Sequence, residues 1–240
     1  MKNKMTWAAI ASTLILGLIF FLLKNKAETG TLQLSNNSAN ESTNTTAPQE
    51  SMAASPNPSI VPVDMKILVK PQNITKGAKN AKVIVVEYLD PECESCGAMY
   101  PYVNQIFEKY KNDIQLVVRY MTYHKNSEYV ANILEGARAQ NKYWEALHIV
   151  FESQPIWANH NNPDPEKLTE LLKPLGLNMN KIISDAKNGK YNDLIKEDVQ
   201  DGKTVGVNGT PTFFVNGQMV LELGYEPLDF AIKQALEQNK

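Results

Sequence analysis

Cysteine is scarce in this chain of 240 residues: Cys93 and Cys96 are the only two. Two cysteines close one bridge at most, so a disulfide-stapled scaffold is excluded. A four-thiolate zinc ribbon is excluded as well, because the second pair is missing. Cationic excess is also lacking. Lys and Arg number 24 against 26 Asp and Glu, a formal net charge of −2. That balance leaves little to neutralise a phosphate backbone and argues against nucleic-acid binding. No internal repeat is visible. With 43% hydrophobic and 21% charged residues, the chain is neither disordered throughout nor collagen-like. The absence of any thiol outside one short motif fits an oxidising compartment.

Charge is missing altogether from Met5 to Leu23, a mostly apolar run of 19 residues flanked by Lys2, Lys4, Lys24 and Lys26. As a helix it would span roughly 30 Å, the thickness of a bilayer core. The run has no polar face, which excludes a buried core helix. A cleaved signal peptide usually has a shorter apolar stretch and a small-x-small exit. Here the exit reads Leu-Leu-Lys-Asn-Lys-Ala-Glu. Residues 1–26 are therefore expected to be an uncleaved transmembrane signal anchor, with flanking charges too balanced to set its orientation. Residues 27–62 are rich in Ser, Asn, Thr, Ala and Pro. They bury too little to repay ordering and read as a flexible tether. Asn36, Asn40 and Asn44 stand in Asn-x-Ser/Thr triplets, which such a composition produces readily.

The globular part is expected over residues 63–240. Val63–Val69 reads as a short first strand ending before Pro71. Lys82–Leu89 is a β-branched run of the kind buried on both faces, and Asp90-Pro91 breaks it. Met99, Val103, Ile106 and Tyr110 then recur at helical spacing, and Ile114–Tyr120 reads as the next strand. Strand, helix and strand within about 40 residues make a parallel βαβ unit. Residues from about 126 to 204 are helical, with Asp164-Pro165 as a helix start and Gly176 as a stop. Thr212–Val215 and Gln218–Leu223 read as strands joined by a type I′ turn at Asn216-Gly217. Pro227–Gln238 closes the chain as a helix. The expected fold is α/β, a mixed sheet carrying a helical insertion.

The chemistry lies in Cys93-Glu94-Ser95-Cys96, which follows a buried strand and opens a helix. Residues at i and i+3 on one turn are near enough to bridge. At a helix N-terminus the unpaired N–H groups and the dipole favour an anion. A thiolate there has a depressed pKa and is the nucleophile of thiol–disulfide exchange. Cys93 is expected to attack and Cys96 to resolve. A buried structural pair and a metal site compete with this reading. Metal binding would need His124, His148 or His160, and none lies at ligand spacing from another, so no metal is expected. His124 reads as a surface or capping residue, and His148 as packing. Met99, Tyr100 and Tyr102 read as core and helix surface, with a further role as rim of a groove.

The stretch Glu87-Tyr-Leu-Asp-Pro-Glu-Cys-Glu-Ser-Cys96, with the distant Gly209-Thr-Pro-Thr-Phe-Phe-Val-Asn-Gly217, resembles the DsbA-like thioredoxin family. The likeness covers about Lys66 to Lys240. It implies a thioredoxin fold with a DsbA-like helical insertion. It also implies that Thr210-Pro211 is the cis-proline facing the cysteines, and that Pro101 is the proline within the active-site helix. In physical terms, proline belongs at a strand start. The Thr210 backbone would then be open to an extended substrate strand. One departure concerns tuning. Glu94 and Ser95 stand where strong oxidants of the family carry Pro-His. With Asp90 and Glu92, Glu94 should oppose thiolate formation and leave Cys93 less acidic.

The resemblance implies an extracytoplasmic, membrane-tethered protein-disulfide oxidoreductase. Its clients would be unfolded or reduced secreted proteins, and a membrane partner would reset the cysteine pair. It would need no cofactor beyond the Cys93–Cys96 couple. A monomer is expected, since residues 24–62 offer no folded dimerisation segment. That tilts toward an oxidase, whereas the Glu-Ser dipeptide tilts toward an isomerase or reductase. A thiol carrier of Cu(I) and a surface module with a structural bridge remain as alternatives of other classes.

Overall fold

The run that reads as a doubly buried strand forms β2 (Val83–Leu89), in which every residue except Ile84 is buried. The structure, a computed structural model, describes residues 62–159 and 161–239. The expected anchor, the tether up to residue 61, and His160 lie outside these residues. Among the described residues no helix is long and apolar enough to cross a membrane.

Before β2 come α1 (Met65–Leu68) and β1 (Ile74–Gly77). After it come α2 (Glu94–Tyr110) and β3 (Ile114–Tyr120). The insertion comprises α3 (Ser127–Arg138), α4 (Tyr143–Glu152), α5 (Gln154–Trp157), α6 (Pro165–Leu171), α7 (Met179–Lys187) and α8 (Asn192–Thr204). The chain returns to the sheet as β4 (Thr212–Val215) and β5 (Gln218–Val220) and closes with α9 (Tyr225–Gln238).

The sheet order is β1-β3-β2-β4-β5. β2 and β3 are parallel, as the βαβ reading requires, with Leu89 opposite Tyr120. The other pairings are antiparallel. Val83, Val85 and Phe213 face α2 and α9, packing with Met99, Val103, Ile106 and Ile232. Each such burial contributes about 1.5–3 kcal/mol against an exposed side chain. Val86, Tyr88, Val117 and Phe214 face the opposite way, onto Leu68, Val205 and Val207. The insertion builds a third cluster that includes Leu89, Cys93, Cys96 and Tyr120.

Two strand expectations are corrected. Val63–Val69 is not a strand. Asp64 caps a single helical turn by accepting from the Lys66 N–H at 2.9 Å. The Ile67 and Leu68 carbonyls are taken by Arg119 Nη1 at 2.8 and 2.9 Å, so a side chain from β3 does what a ladder would have done. The first strand is instead Ile74–Gly77. β5 stops at Val220 rather than Leu223, and Leu221 and Leu223 are 70% and 52% exposed. From Phe213↔Val220 the register would next bring Thr212 and then Pro211, which has no N–H to give.

Other sequence signals hold. Asp164 caps α6 by accepting from the Lys167 N–H at 2.9 Å. Gly176 is left-handed at φ 71° and follows a short 3₁₀ turn. Asn216 and Gly217 have φ of 46° and 87°, the type I′ geometry. A side chain at Gly217 would also strike the Val63 carbonyl, its Cβ lying 2.6 Å away.

Candidate active site

Three loops and one insertion side chain meet at the carboxyl ends of β2 and β3. Cys93 is the N-cap of α2, and its carbonyl accepts from the Gly97 N–H at 3.1 Å. It is 9% exposed, whereas Cys96, one turn on, is fully buried. The two cysteines are unbridged. The Cys93 thiol is drawn down to about 5, first by a hydrogen bond from Cys96. Burial opposes this, while the Thr210 side chain and the N–H groups of Cys96 and Ser95 assist. Cys96 is pushed well up, first by burial and then by its partner sulfur. The thiol lies below its ordinary value with acidic residues on either side of it in the sequence. Donors to the sulfur outweigh its burial.

The acids are occupied elsewhere. Asp90 is fully buried. Its carboxylate accepts from the N–H groups of Glu92 (2.9 Å), Tyr123 (2.8 Å) and His124 (3.2 Å). It also pairs with His124 Nδ1 at 2.9 Å and closely with the Ser127 hydroxyl. The Asp90 N–H donates to Cys96 Sγ at 3.4 Å. Glu92 accepts from the Asn126 N–H and side-chain amide at 2.7 and 2.8 Å. Glu94 and Ser95 are exposed.

The loop before β4 supplies the opposite wall. The Thr210–Pro211 peptide is cis, as the resemblance implies, and the Thr210 carbonyl lies 3.4 Å from Cys93 Sγ. Tyr123 donates its hydroxyl to the Val207 carbonyl at 3.2 Å, joining this loop to the one after β3. From the insertion, Gln154 Nε2 donates to the carbonyls of Pro91 and Cys93 at 2.9 and 3.0 Å. Gly97 makes room for it, since a Cβ there would lie 2.0 Å from Gln154 Oε1. Beside this clamp runs a groove of about 690 Å³, lined by Glu94, Ala98, Pro101, Phe151, Glu152 and Pro155.

Glu87 lies behind the cysteines, within β2. Burial pushes its carboxyl up to about 8, and its charge helps to raise Cys96. Further in, Tyr120 bonds Tyr143 and Glu135, each at 3.0 Å.

The structure thus brings together Cys93, Cys96, Thr210 and Pro211. Glu94 and Ser95 sit on the outer surface of the same turn. Met99 is core, Tyr102 is exposed, and Tyr100 stacks on Phe151 and His148. His148 is exposed on α4 and belongs to that packing. His124 is more than the surface or capping residue expected, because it is bound to buried Asp90. Gln154 and Glu87 were not singled out as site residues. A lone carboxylate inside a doubly buried strand was a readable signal for Glu87, whereas Gln154 offers none. Among the described residues no three His, Cys, Asp or Glu side chains cluster to hold a metal.

Residues 70–234 match the family model described as Thioredoxin. Among curated proteins, the chain is 27% identical over 143 residues to the Na(+)/H(+) antiporter NhaA of Herminiimonas arsenicoxydans. That match covers 60% of this chain and 22% of the antiporter, so the chain spans under a quarter of that relative's length. A Rickettsia felis protein with a provisional protein-disulfide oxidoreductase name is 29% identical, over 77% of this chain and 67% of its own length. Among solved structures, oxidised BdbD from Bacillus subtilis aligns with a TM-score of 0.64 at 20% identity, covering 73% of this chain and 96% of its own. Chlamydia trachomatis DsbA aligns at 0.62 and 16% identity, covering 72% and 95%. At these identities the structural likeness concerns the fold.

Proposed function

The chain belongs to the thioredoxin family, with a DsbA-like fold, and from that premise we propose that it exchanges disulfides with protein thiols, Cys93 attacking and Cys96 resolving. The observation that carries this reading is the asymmetry of the pair. An acidic sulfur at the helix start faces the Thr210 loop, and a fully buried, basic one waits a turn behind. In the oxidising direction, a client thiolate attacks Cys93 Sγ of the Cys93–Cys96 disulfide. The sulfur–sulfur bond breaks, and Cys96 leaves with the electron pair and takes up a proton. A second client thiolate then attacks the client sulfur of the mixed disulfide, and Cys93 departs as thiolate. The client loses two electrons and the pair gains them. Glu87, protonated below about pH 8, leaves the departing Cys96 sulfur without a like charge beside it. The reverse sequence reduces a client.

The same asymmetry disfavours a Cu(I) carrier, which would need both sulfurs as thiolates. Oxidase action is our reading of direction, resting on the depressed Cys93 thiol, which stabilises the reduced form. Residues 63–240 would be the catalytic unit, a monomer held outside the cytoplasm by residues 1–26 through the tether of residues 27–62. Unfolded or reduced secreted proteins would be its clients, and a membrane partner would restore its disulfide. The length of the Met5–Leu23 run supports that placement. The test is trapping in cells. Cys96→Ala should accumulate mixed disulfides with client proteins, and Cys93→Ala should accumulate few. Equal yields would overturn the assignment of the attacking sulfur. A Cys93–Cys96 pair found mostly reduced in cells would overturn the oxidase reading in favour of a reductase or isomerase.

A further inference from the structure

The dipeptide between the cysteines supplies no cation, yet an imidazole stands beside them by another route. β2 and β3 run parallel with a fixed offset, Leu89 opposite Tyr120, and the Met121 N–H still bonds the Leu89 carbonyl at 2.8 Å. Past the strand ends Asp90 joins the two loops: its carbonyl accepts the Cys93 N–H at 3.1 Å and its carboxylate holds the His124 ring, so Cys93 and the imidazole flank one aspartate. The two loops do not diverge there. Asp90 binds the N–H groups of Tyr123 and His124, and Glu92 binds Asn126. Tyr123 fixes the pair to the Thr210 loop through Val207. Within this frame Asp90 Oδ2 holds His124 Nδ1 at 2.9 Å, and the His124 side chain is 33% exposed.

Resting on the exchange reaction proposed above, we infer that His124 is a positioning residue for Cys93: its imidazolium, anchored by the buried Asp90 carboxylate, is the countercharge of the Cys93 thiolate. The histidine comes from the loop after β3 rather than from between the cysteines. Groups facing the ring are Asp90 and Glu92 from the loop after β2 and Cys93 from the start of α2. Its own loop adds Tyr123 and Lys125. Burial works against the charged ring, but the Asp90 hydrogen bond and the charges of Asp90, Cys93 and Glu92 outweigh it and raise the imidazole above its ordinary value. Asp90 carries the charge a histidine needs and is itself saturated with N–H and hydroxyl donors. It can therefore hold the ring without being released to repel the sulfur. The reduced form, with its Cys93 thiolate, gains from this cation and the disulfide does not. The couple is thus made more oxidising while the ring is protonated, and the gain disappears as pH rises through the imidazole titration.

The experiment uses the full chain and iodoacetamide alkylation of Cys93 across pH. His124→Gln should slow alkylation about fivefold at about pH 4 and below, where the native Cys93 is mostly thiol, a modest factor for a partly solvated charge, with the difference closing at the alkaline end. Its equilibrium with glutathione should move by the same factor in the reducing direction, about 20 mV for a two-electron couple. His124→Lys should keep the fast rate at low pH and hold it into the alkaline range. Superposable pH profiles for the native chain and His124→Gln would overturn the inference. If His124→Gln does not fold, the reciprocal measurement decides. The His124 imidazole titration, followed by NMR, should shift down in Cys93→Ser, and an unmoved midpoint overturns the pairing. Failure of the native chain to exchange with a peptide disulfide would sink the proposed function and leave this coupling measurable.

Discussion

Arg119 and Asp90 are both fully buried charges beside the ends of adjacent parallel strands, and they differ in what their surroundings leave undone. Arg119 closes a set. Its Nε binds Asp198, its Nη2 binds Asp201 at 2.7 Å, and its Nη1 holds the Ile67 and Leu68 carbonyls. Asp198 takes the Tyr120 N–H as well, at 3.0 Å. Burial still wins at Asp198, whose carboxyl is pushed up to about 6. This cluster ties α1, β3 and α8 together and runs out to the surface through Lys70, 3.3 Å from Asp201. Asp90 also spends its oxygens on local donors, but its N–H donates to Cys96 Sγ at 3.4 Å and its carbonyl accepts the Cys93 N–H at 3.1 Å. Buried charge satisfied on all sides becomes a staple. The same construction set against a pair of thiols becomes a reactive centre.

The largest test of this contrast is Arg119→Met. Removing the guanidinium strands the buried Asp198 without its cation, while Asp201 keeps Lys70 at 3.3 Å. The expected loss is on the order of 3–5 kcal/mol in urea unfolding. The Cys93 titration in the folded fraction should not move, and a shift would show that the two clusters are coupled.

Glu87 lies between the two cases, a carboxyl raised to about 8 by burial. A raised carboxyl contributes its stability below its unfolded value and loses it as pH climbs through its folded one. The native chain should therefore weaken between about pH 4.5 and about pH 8, by on the order of 4 kcal/mol. Glu87→Gln should flatten this slope in denaturation midpoints measured against pH, and a parallel slope in the variant would place its cause elsewhere.

A smaller effect is expected at Gln154. Its replacement by Leu keeps the volume and strips the Pro91 and Cys93 carbonyls of their shared donor, costing about 1–3 kcal/mol. Gly97→Ala should mimic it by displacing the same amide. If thermal unfolding shows both variants to be neutral, the clamp is incidental to how the insertion grips the motif.

The smallest effect belongs to Glu94, which is exposed on the outer side of the turn. Glu94→Gln should lower the Cys93 titration midpoint by under about half a unit, because solvent and salt screen a surface charge. A larger drop would mean that the dipeptide, rather than the buried donors, sets this thiol.

Much of the fold was legible because the signals are local. The β-branched run of β2, the helical spacing of Met99, Val103 and Ile106, the Asp164 cap and the Asn216-Gly217 turn each act over a few residues. The misreadings have a common cause. Val63–Val69 has strand-like composition, but Arg119, fifty residues on, takes its carbonyls. Leu221 and Leu223 look like strand residues, but the register runs out at Pro211. Neither partner is visible from the segment itself.

The site divides along the same line. The order of residues alone determined that two thiols would share one helical turn after a buried strand, and that Thr210-Pro211 would begin a distant one. Covalent spacing and backbone propensity suffice for that. Only the tertiary structure decided which atoms surround the sulfurs. It set the Thr210 carbonyl against Cys93, placed Gln154 on the backbone of the motif, and turned the acidic neighbours toward the loop after β3. It also brought His124 alongside. A sulfur's ionisation depends on charges and donors within a few ångströms; the helical turn itself supplies Cys96 and the N–H groups of Cys96 and Ser95, whereas Thr210 reaches Cys93 across 117 residues of chain, which only the fold could arrange.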